Sequence, residues 1–225
     1  MSNESADSPA PRHRKSFGSL LLELVMIGIG VFLGASAEQW RDSRHQETLA
    51  RASLQNFRHE IANNRAQIAA VRVYHDSLGN NTLAFLNTEG PRGLREFMQS
   101  VRYHGMTPPE LEHTAWDLAL ATQALSDIDP TLAFAISHVY SIQQSFVLMQ
   151  TSFMGNALTP TTFANVANAT PLAIAMSSYL EDVNIQEPRL IHLYDKLLPL
   201  IDSALGGPPA TDSVTKKKDS AAAKK

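Results

Sequence analysis

From Phe17 to Ala37 every position is apolar or glycine apart from Glu23, Ser19 and Ser36. A helix of about 20 such residues, rising ~1.5 Å each, spans the ~30 Å hydrocarbon core of a bilayer. Beyond Trp40 the pattern changes. Leu54, Phe57, Ile61, Asn64, Ile68, Val71, His75 and Leu78 recur in alternating steps of three and four residues. That spacing predicts an amphipathic helix, and with no Gly or Pro between Trp40 and Gly79 it predicts one continuous with the apolar segment. Asn64 within the stripe is a candidate register-setting residue. Arg51, Arg58, Arg65 and Arg72 repeat every seven residues on a neighbouring face. Such a repeat suits pairing with another chain or packing within one bundle, and a run this short favours the bundle.

Gly79-Asn80-Asn81 predicts the end of this helix. A short helix near 82–87 and another over Leu94, Phe97, Met98 and Val101 follow. Four later helix starts are signalled by a capping residue before proline: Thr107-Pro108, Asp129-Pro130, Thr159-Pro160 and Thr170-Pro171. Thr107 with Glu110 also has the spacing of a capping box. Leu111, Ala115, Leu118, Thr122 and Leu125 form one expected inward face, and Leu132, Ile136, Val139, Phe146 and Phe153 another, with Gly155 as its end. Leu172, Met176, Tyr179 and Leu180 mark a short helix. Leu190, Tyr194, Leu197, Ile201 and Leu205 mark a separate last helix, stopped at Gly206-Gly207-Pro208-Pro209. No strand pattern competes. The expected architecture is all-α: a tail over 1–15, a transmembrane helix over 16–38, a helical bundle over 39–205 and a Lys/Ala-rich tail over 206–225.

The apolar segment admits two readings, an uncleaved anchor and a secretory signal peptide. Ala35-Ser36-Ala37 has the small-x-small form of a cleavage site. Against cleavage, the run exceeds the usual ~7–15 residues of a signal core. Trp40 also stands where an interfacial aromatic belongs. Arg12, Arg14 and Lys15 before the segment nearly balance Arg41, Arg44 and Arg51 after it. The compact first cluster favours a cytoplasmic N-terminus and a periplasmic bundle. Glu23 inside the run is a candidate functional carboxylate or one that snorkels to the headgroups. Gly30 and Gly34, four residues apart, share a stripe with Glu23 and suit close approach of a second helix, hence a homo-oligomer or a protein partner.

The run Glu23-Leu24-Val25-Met26-Ile27-Gly28-Ile29-Gly30-Val31-Phe32-Leu33, followed by Glu38-Gln39-Trp40-Arg41-Asp42, resembles the start of a group of uncharacterised bacterial single-pass membrane proteins. Thr114-Ala115-Trp116-Asp117 is similar to a helix in the same group, while Gly34 and Ala35 depart from its larger aliphatics. The resemblance implies an uncleaved inner-membrane anchor and a helical domain, and no chemistry.

A formal charge of −3 and a pI near 6.2 argue against a nucleic-acid binder, which requires a concentrated basic surface. The absence of cysteine excludes disulfides, thiolate metal sites and a cysteine nucleophile. Glu110-x-x-His113 is a single copy of a spacing that di-iron bundles use twice, so no metal or other cofactor is expected. No Gly-x-Ser-x-Gly elbow marks a serine nucleophile. His113 and Asp117 are spaced to pair across one helical turn, and His138 reads as a core or edge histidine. Trp116 is a core aromatic or an anchor in a partner groove or cleft, with Gln143, Gln144 and Gln150 as candidate neighbours. The expected function is therefore not enzymatic. It is that of a membrane-anchored interaction or accessory subunit of an inner-membrane assembly, with a periplasmic small-molecule sensor as the alternative.

Overall fold

The structure is a computed structural model that describes residues 17–90, 92–157 and 166–207. The described residues are all α: α1 (Phe17–Leu86), α2 (Leu94–Ser100), α3 (Thr114–Ala121), a 3-10 turn (Ala124–Asp127), α4 (Pro130–Ala157) and α5 (Thr170–Ala204). Two compact units divide the chain, Met1–Glu47 and Thr48–Lys225, and α1 contributes to both. The N-terminal tail, the C-terminal tail from 208 onward and the Thr159-Pro160 signal lie outside the described residues.

In the first unit, α1 exposes every residue from Leu21 to Glu47, including Leu24, Ile27, Val31 and Phe32. Glu23 lies in this exposed run. No atom lies within 4 Å of a Cβ built on Gly30 or Gly34. Trp40 is 65% exposed, with the Arg44 guanidinium 5.4 Å from its ring centroid. Among the described residues two helices, α1 near its N-terminus and α4, are long and apolar enough to cross a membrane. They differ in burial: the apolar window of α1 is 0% buried and that of α4 is 33% buried.

The second unit is built on α1, α4 and α5. Leu54, Phe57, Ile61, Ile68, Leu78 and Phe85 of α1 are buried with Asn64 and His75, and Val71 is half-buried. The basic row turns to α5. Arg58 pairs with Asp202, Arg65 with Asp195 at 2.5 Å, and Arg51 donates to the Leu205 carbonyl at 3.1 Å. As numbers rise along α1 they fall along α5, so the two helices are antiparallel. Tyr140 and Gln143 of α4 bond Glu60 and Asn64 of α1, which makes α4 parallel to α1. Phe153 stacks on Tyr179 with centroids 4.0 Å apart, tying α4 to α5.

Four expected boundaries move. The helix does not break at Gly79-Asn80-Asn81; α1 continues to Leu86. Gly79 serves close packing instead, since a Cβ there would meet Asn184 Nδ2 at 3.0 Å and Leu180 Cβ at 3.6 Å. Leu78, Thr82 and Phe85 carry the buried face onward. Likewise α5 is one helix despite Pro188 and Pro199. An interior proline costs ~3 kcal/mol, whereas each buried Leu or Met side chain contributes ~1.5–3 kcal/mol. Leu172, Met176, Leu180, Val183, Leu190, Leu197 and Ile201 together outweigh the break. Gly155 lies inside α4 rather than ending it. The Thr107-Pro108 signal starts no helix: Thr107 has φ 43° and α3 begins at Thr114. Two expected starts hold. Asp129 Oδ1 accepts from the Thr131 and Leu132 amides to cap α4, and α5 begins at Thr170-Pro171. At the C-terminus of α5, Gly206 adopts φ 91° and the Gly207 amide returns to the Asp202 carbonyl at 2.8 Å.

Candidate functional site

Between α2 and α3 the chain forms a strap over 103–113 without regular structure. It is laid on α1 by side chains of α1. Tyr74 Oη donates to the Gly105 carbonyl at 2.7 Å and accepts from the His104 amide at 3.2 Å. His75 Nε2 meets the Met106 carbonyl at 2.8 Å. Asn64 binds both backbone groups of Glu112, donating to its carbonyl at 2.8 Å and accepting from its amide at 2.9 Å. Gln143 of α4 donates to the same carbonyl at 2.7 Å. Gly105 and Thr107 adopt positive φ, as does Arg102 just before the strap. For the two non-glycine residues such a conformation costs ~1–3 kcal/mol each and persists only where surrounding contacts impose it.

Beyond the strap, Glu60 organises α3. The carboxylate accepts from the Ala115 amide at 2.8 Å, in the first turn of α3, and from Tyr140 Oη at 2.6 Å. A carboxylate at a helix N-terminus satisfies an otherwise orphan amide and meets the positive end of the helix dipole. Burial, then the Glu60 hydrogen bond, push the Tyr140 phenol far above its usual range, so it stays a donor. Tyr194 is raised as well, chiefly by burial, and donates to Gln143 Oε1 at 2.7 Å. Gln143 thus joins α1, the strap, α4 and α5.

This scaffold positions Trp116. Its half-buried indole stacks on Tyr140 with centroids 5.5 Å apart and lies 6.4 Å from Phe57. Beside it opens a cleft of about 510 Å³, within the range of small-molecule sites. Trp116 and Tyr140 supply its aromatic wall, Leu111 and His113 its strap side, and Gln143 and Gln144 its α4 side. His113 and Asp117 pair at 2.7 Å on an exposed edge. The expected inward face holds at Ala115, which is buried, with Leu111, Thr122 and Leu125 half-buried, and fails at Leu118, which is 48% exposed; Ala119 is buried instead. His138 is exposed, and Gln150 is buried. Glu110 and His113 precede α3, so their spacing does not put them on one helix face. Among the described residues no group of three His, Asp or Glu side chains is arranged to hold a metal ion.

A second buried polar pair ties α1 to α5. His75 Nδ1 lies 2.6 Å from Glu187 Oε1, and both side chains are fully buried. Burial alone would lower the His75 pKa. The Glu187 hydrogen bond and charge, with smaller help from the Met106 carbonyl and Asp76, outweigh it and raise the pKa above the ordinary histidine value of 6.5. Glu60 and Glu187 did not emerge from the sequence reading. For Glu187 a signal existed: it falls between Val183 and Leu190 at the helical spacing of the buried α5 face.

Comparison with protein-family models, with curated proteins and with solved structures finds no match. Fold and site thus define a class in physical terms only: an all-α bundle with a buried polar network, following a helix segment of exposed apolar residues.

Proposed function

We propose that the chain is a membrane-anchored, non-catalytic interaction subunit of a bacterial inner-membrane assembly, its N-terminal side cytoplasmic and its bundle periplasmic. One observation carries this reading: the apolar run of α1 from Leu21 to Ala37 has no buried residue. Leaving that much apolar surface in water opposes stability, at ~25 cal/mol per Å². A bilayer covers it. The open face at Gly30 and Gly34 supports lateral approach of a second helix, from another copy or from a partner. Trp40 suits the interface.

The test is alkaline carbonate extraction of native membranes, followed by chemical crosslinking and intact mass. The proposal expects the full chain to resist extraction and to crosslink to itself or to a membrane protein. A soluble species beginning at Glu38 overturns the anchor, and a lone uncrosslinked monomer overturns the interaction role.

The cleft beside Trp116 favours a second reading, a small-molecule-binding sensor. Its aromatic wall, with Gln143, Gln144 and the His113–Asp117 pair at its edge, suits a planar ligand that carries hydrogen-bonding groups. Quenching or a shift of Trp116 fluorescence by a panel of such compounds supports it, and an unchanged spectrum across the panel removes it.

A further inference from the structure

The His75 ring faces acceptors on both sides: the Glu187 carboxylate at Nδ1 and the Met106 carbonyl at Nε2. A carbonyl oxygen only accepts, so Nε2 must carry a hydrogen for that contact to be a bond. The 2.6 Å contact with Glu187 needs a second hydrogen, on the ring or on the carboxyl. The pair therefore holds both hydrogens while the strap is seated. Removing one leaves two lone pairs opposed, either across the strap contact or across the contact between α1 and α5.

We propose that His75 and Glu187 form a proton-dependent latch that seats the 103–113 strap, and with it the Leu111 and His113 side of the Trp116 cleft. The groups around the ring support one added proton. From α5, Glu187 is the facing charge, and its Oε2 is buried with no protein partner among the described residues, so its one observed partner is His75. On α1, Asp76 adds negative charge and Tyr74 lies 5.9 Å from the ring. From the strap, His104 stacks on Tyr74 at 3.9 Å. From α4, neutral Gln150 reaches Tyr179 of α5, which also feels the Glu187 charge. No cation among these groups opposes protonation, His104 excepted when it is itself charged.

The sign follows from linkage. A proton held more tightly with the strap seated than with it open stabilises the seated state below the open-state pKa. That advantage is lost as pH rises above about 6.5 toward the seated-state pKa. With one proton linked, the strap opening constant rises by at most about tenfold per pH unit within that window. The strap carries two reporters tied to α1 side chains, the His104 amide on Tyr74 and the Glu112 amide on Asn64.

The experiment is hydrogen exchange of the 103–113 amides in the full detergent-solubilised chain from pH 6 to 9, corrected for intrinsic exchange. Wild type and Glu187→Gln are compared. In the variant, the new amide donates to Nδ1 while Nε2–H donates to Met106, so the neutral ring latches without the extra proton. Wild type should lose protection in the strap as pH rises, with the core of α5 unchanged, and Glu187→Gln should hold its protection level. A pH-independent wild-type strap overturns the proposal, and so does the same decline in both proteins. A His75 ¹⁵N spectrum provides the second measurement. Both ring nitrogens should read as protonated or sharing a proton at pH 7 in wild type, and one bare nitrogen with the strap still protected overturns the latch.

Discussion

Glu60 is one carboxylate with two dependants, the Ala115 amide at 2.8 Å and the Tyr140 hydroxyl at 2.6 Å. Three substitutions separate their roles. Glu60→Ala removes both acceptors and orphans a buried amide and a buried phenol. At ~1–3 kcal/mol for each of the two unsatisfied groups, it should destabilise the bundle by about 2–6 kcal/mol. Tyr140→Phe removes one donor and leaves the carboxylate with Ala115, for a loss of about 1.5–3 kcal/mol, the range for a hydrogen bond to a charged group. Glu60→Gln keeps a carbonyl for Ala115, but its amide can only donate to Tyr140 Oη and leaves the buried phenol hydrogen without an acceptor, so about 1–3 kcal/mol is expected. Phe57 and Tyr140 are 5.8 Å apart, so a vacancy at position 60 also loosens aromatic packing. The chain has two tryptophans, so a Trp40→Phe background leaves Trp116, on α3 itself, as the sole fluorescent reporter. Urea unfolding of the detergent-solubilised chain should then show Glu60→Ala as the most damaging of the three. Refutation is a Glu60→Ala protein within ~0.5 kcal/mol of wild type, the range of ordinary surface substitutions.

Two further outcomes follow from the same geometry. Asp195→Asn and Asp202→Asn should each cost at most about 1 kcal/mol, because their partners Arg65 and Arg58 are half-exposed and water screens such pairs; thermal unfolding at low and high salt measures both the loss and its screening. At alkaline pH the buried phenols oppose the folded state. Burial pushes Tyr179 up to about 12, above the unfolded value of 10.0, and raises Tyr140 and Tyr194 further, so stability falls as pH rises past about 10. Absorbance at 295 nm should show these three ionising only together with loss of helical circular dichroism.

Apolar periodicity made the cores of α1 and α4 legible, along with the cap at Asp129 and the start of α5 at Thr170-Pro171, where Thr170 is the first helical residue rather than the cap. It failed where the buried stripe passes through a residue that looks like punctuation. Gly79 reads as a break, yet its missing side chain leaves room for the close approach of the Asn184 amide. Pro188 reads as a break, yet the stripe continues through Val183, Glu187 and Leu190. The strap misled for the opposite reason. Thr107-Pro108 with Glu110 carries a helix-start signal, but Asn64, Tyr74 and His75 hold that backbone in a non-helical path from a distance in sequence that local rules do not reach. Trp116 was visible as a candidate. The Glu60 and Tyr140 that position it were not, because nothing in a single sequence places residues 60, 115 and 140 together.

The polar residues also solve a problem that the regular pattern creates. Arg51, Arg58, Arg65 and Arg72 recur every seven residues, and so do Asp195 and Asp202. Sliding α5 by one heptad along α1 would still pair two arginines with two aspartates, so this ladder does not choose a register. Glu187 does. In the observed register it meets His75; a slip of seven residues would set it against Ile68 or Thr82 instead. An uncompensated buried carboxylate costs ~3–5 kcal/mol, more than exposed ion pairs can return. Replacing both His75 and Glu187 by Leu removes that penalty while keeping the apolar face. The double variant should stay helical yet sample slipped registers. Because the chain contains no cysteine, introduced pairs are the only thiols available to a short bis-maleimide. Arg58→Cys with Asp202→Cys should crosslink in both backgrounds. Arg65→Cys with Asp202→Cys, a pair that only a slipped helix brings together, should crosslink in the leucine background alone. If it remains uncrosslinked there, apolar packing by itself sets the register and the buried pair serves the strap only.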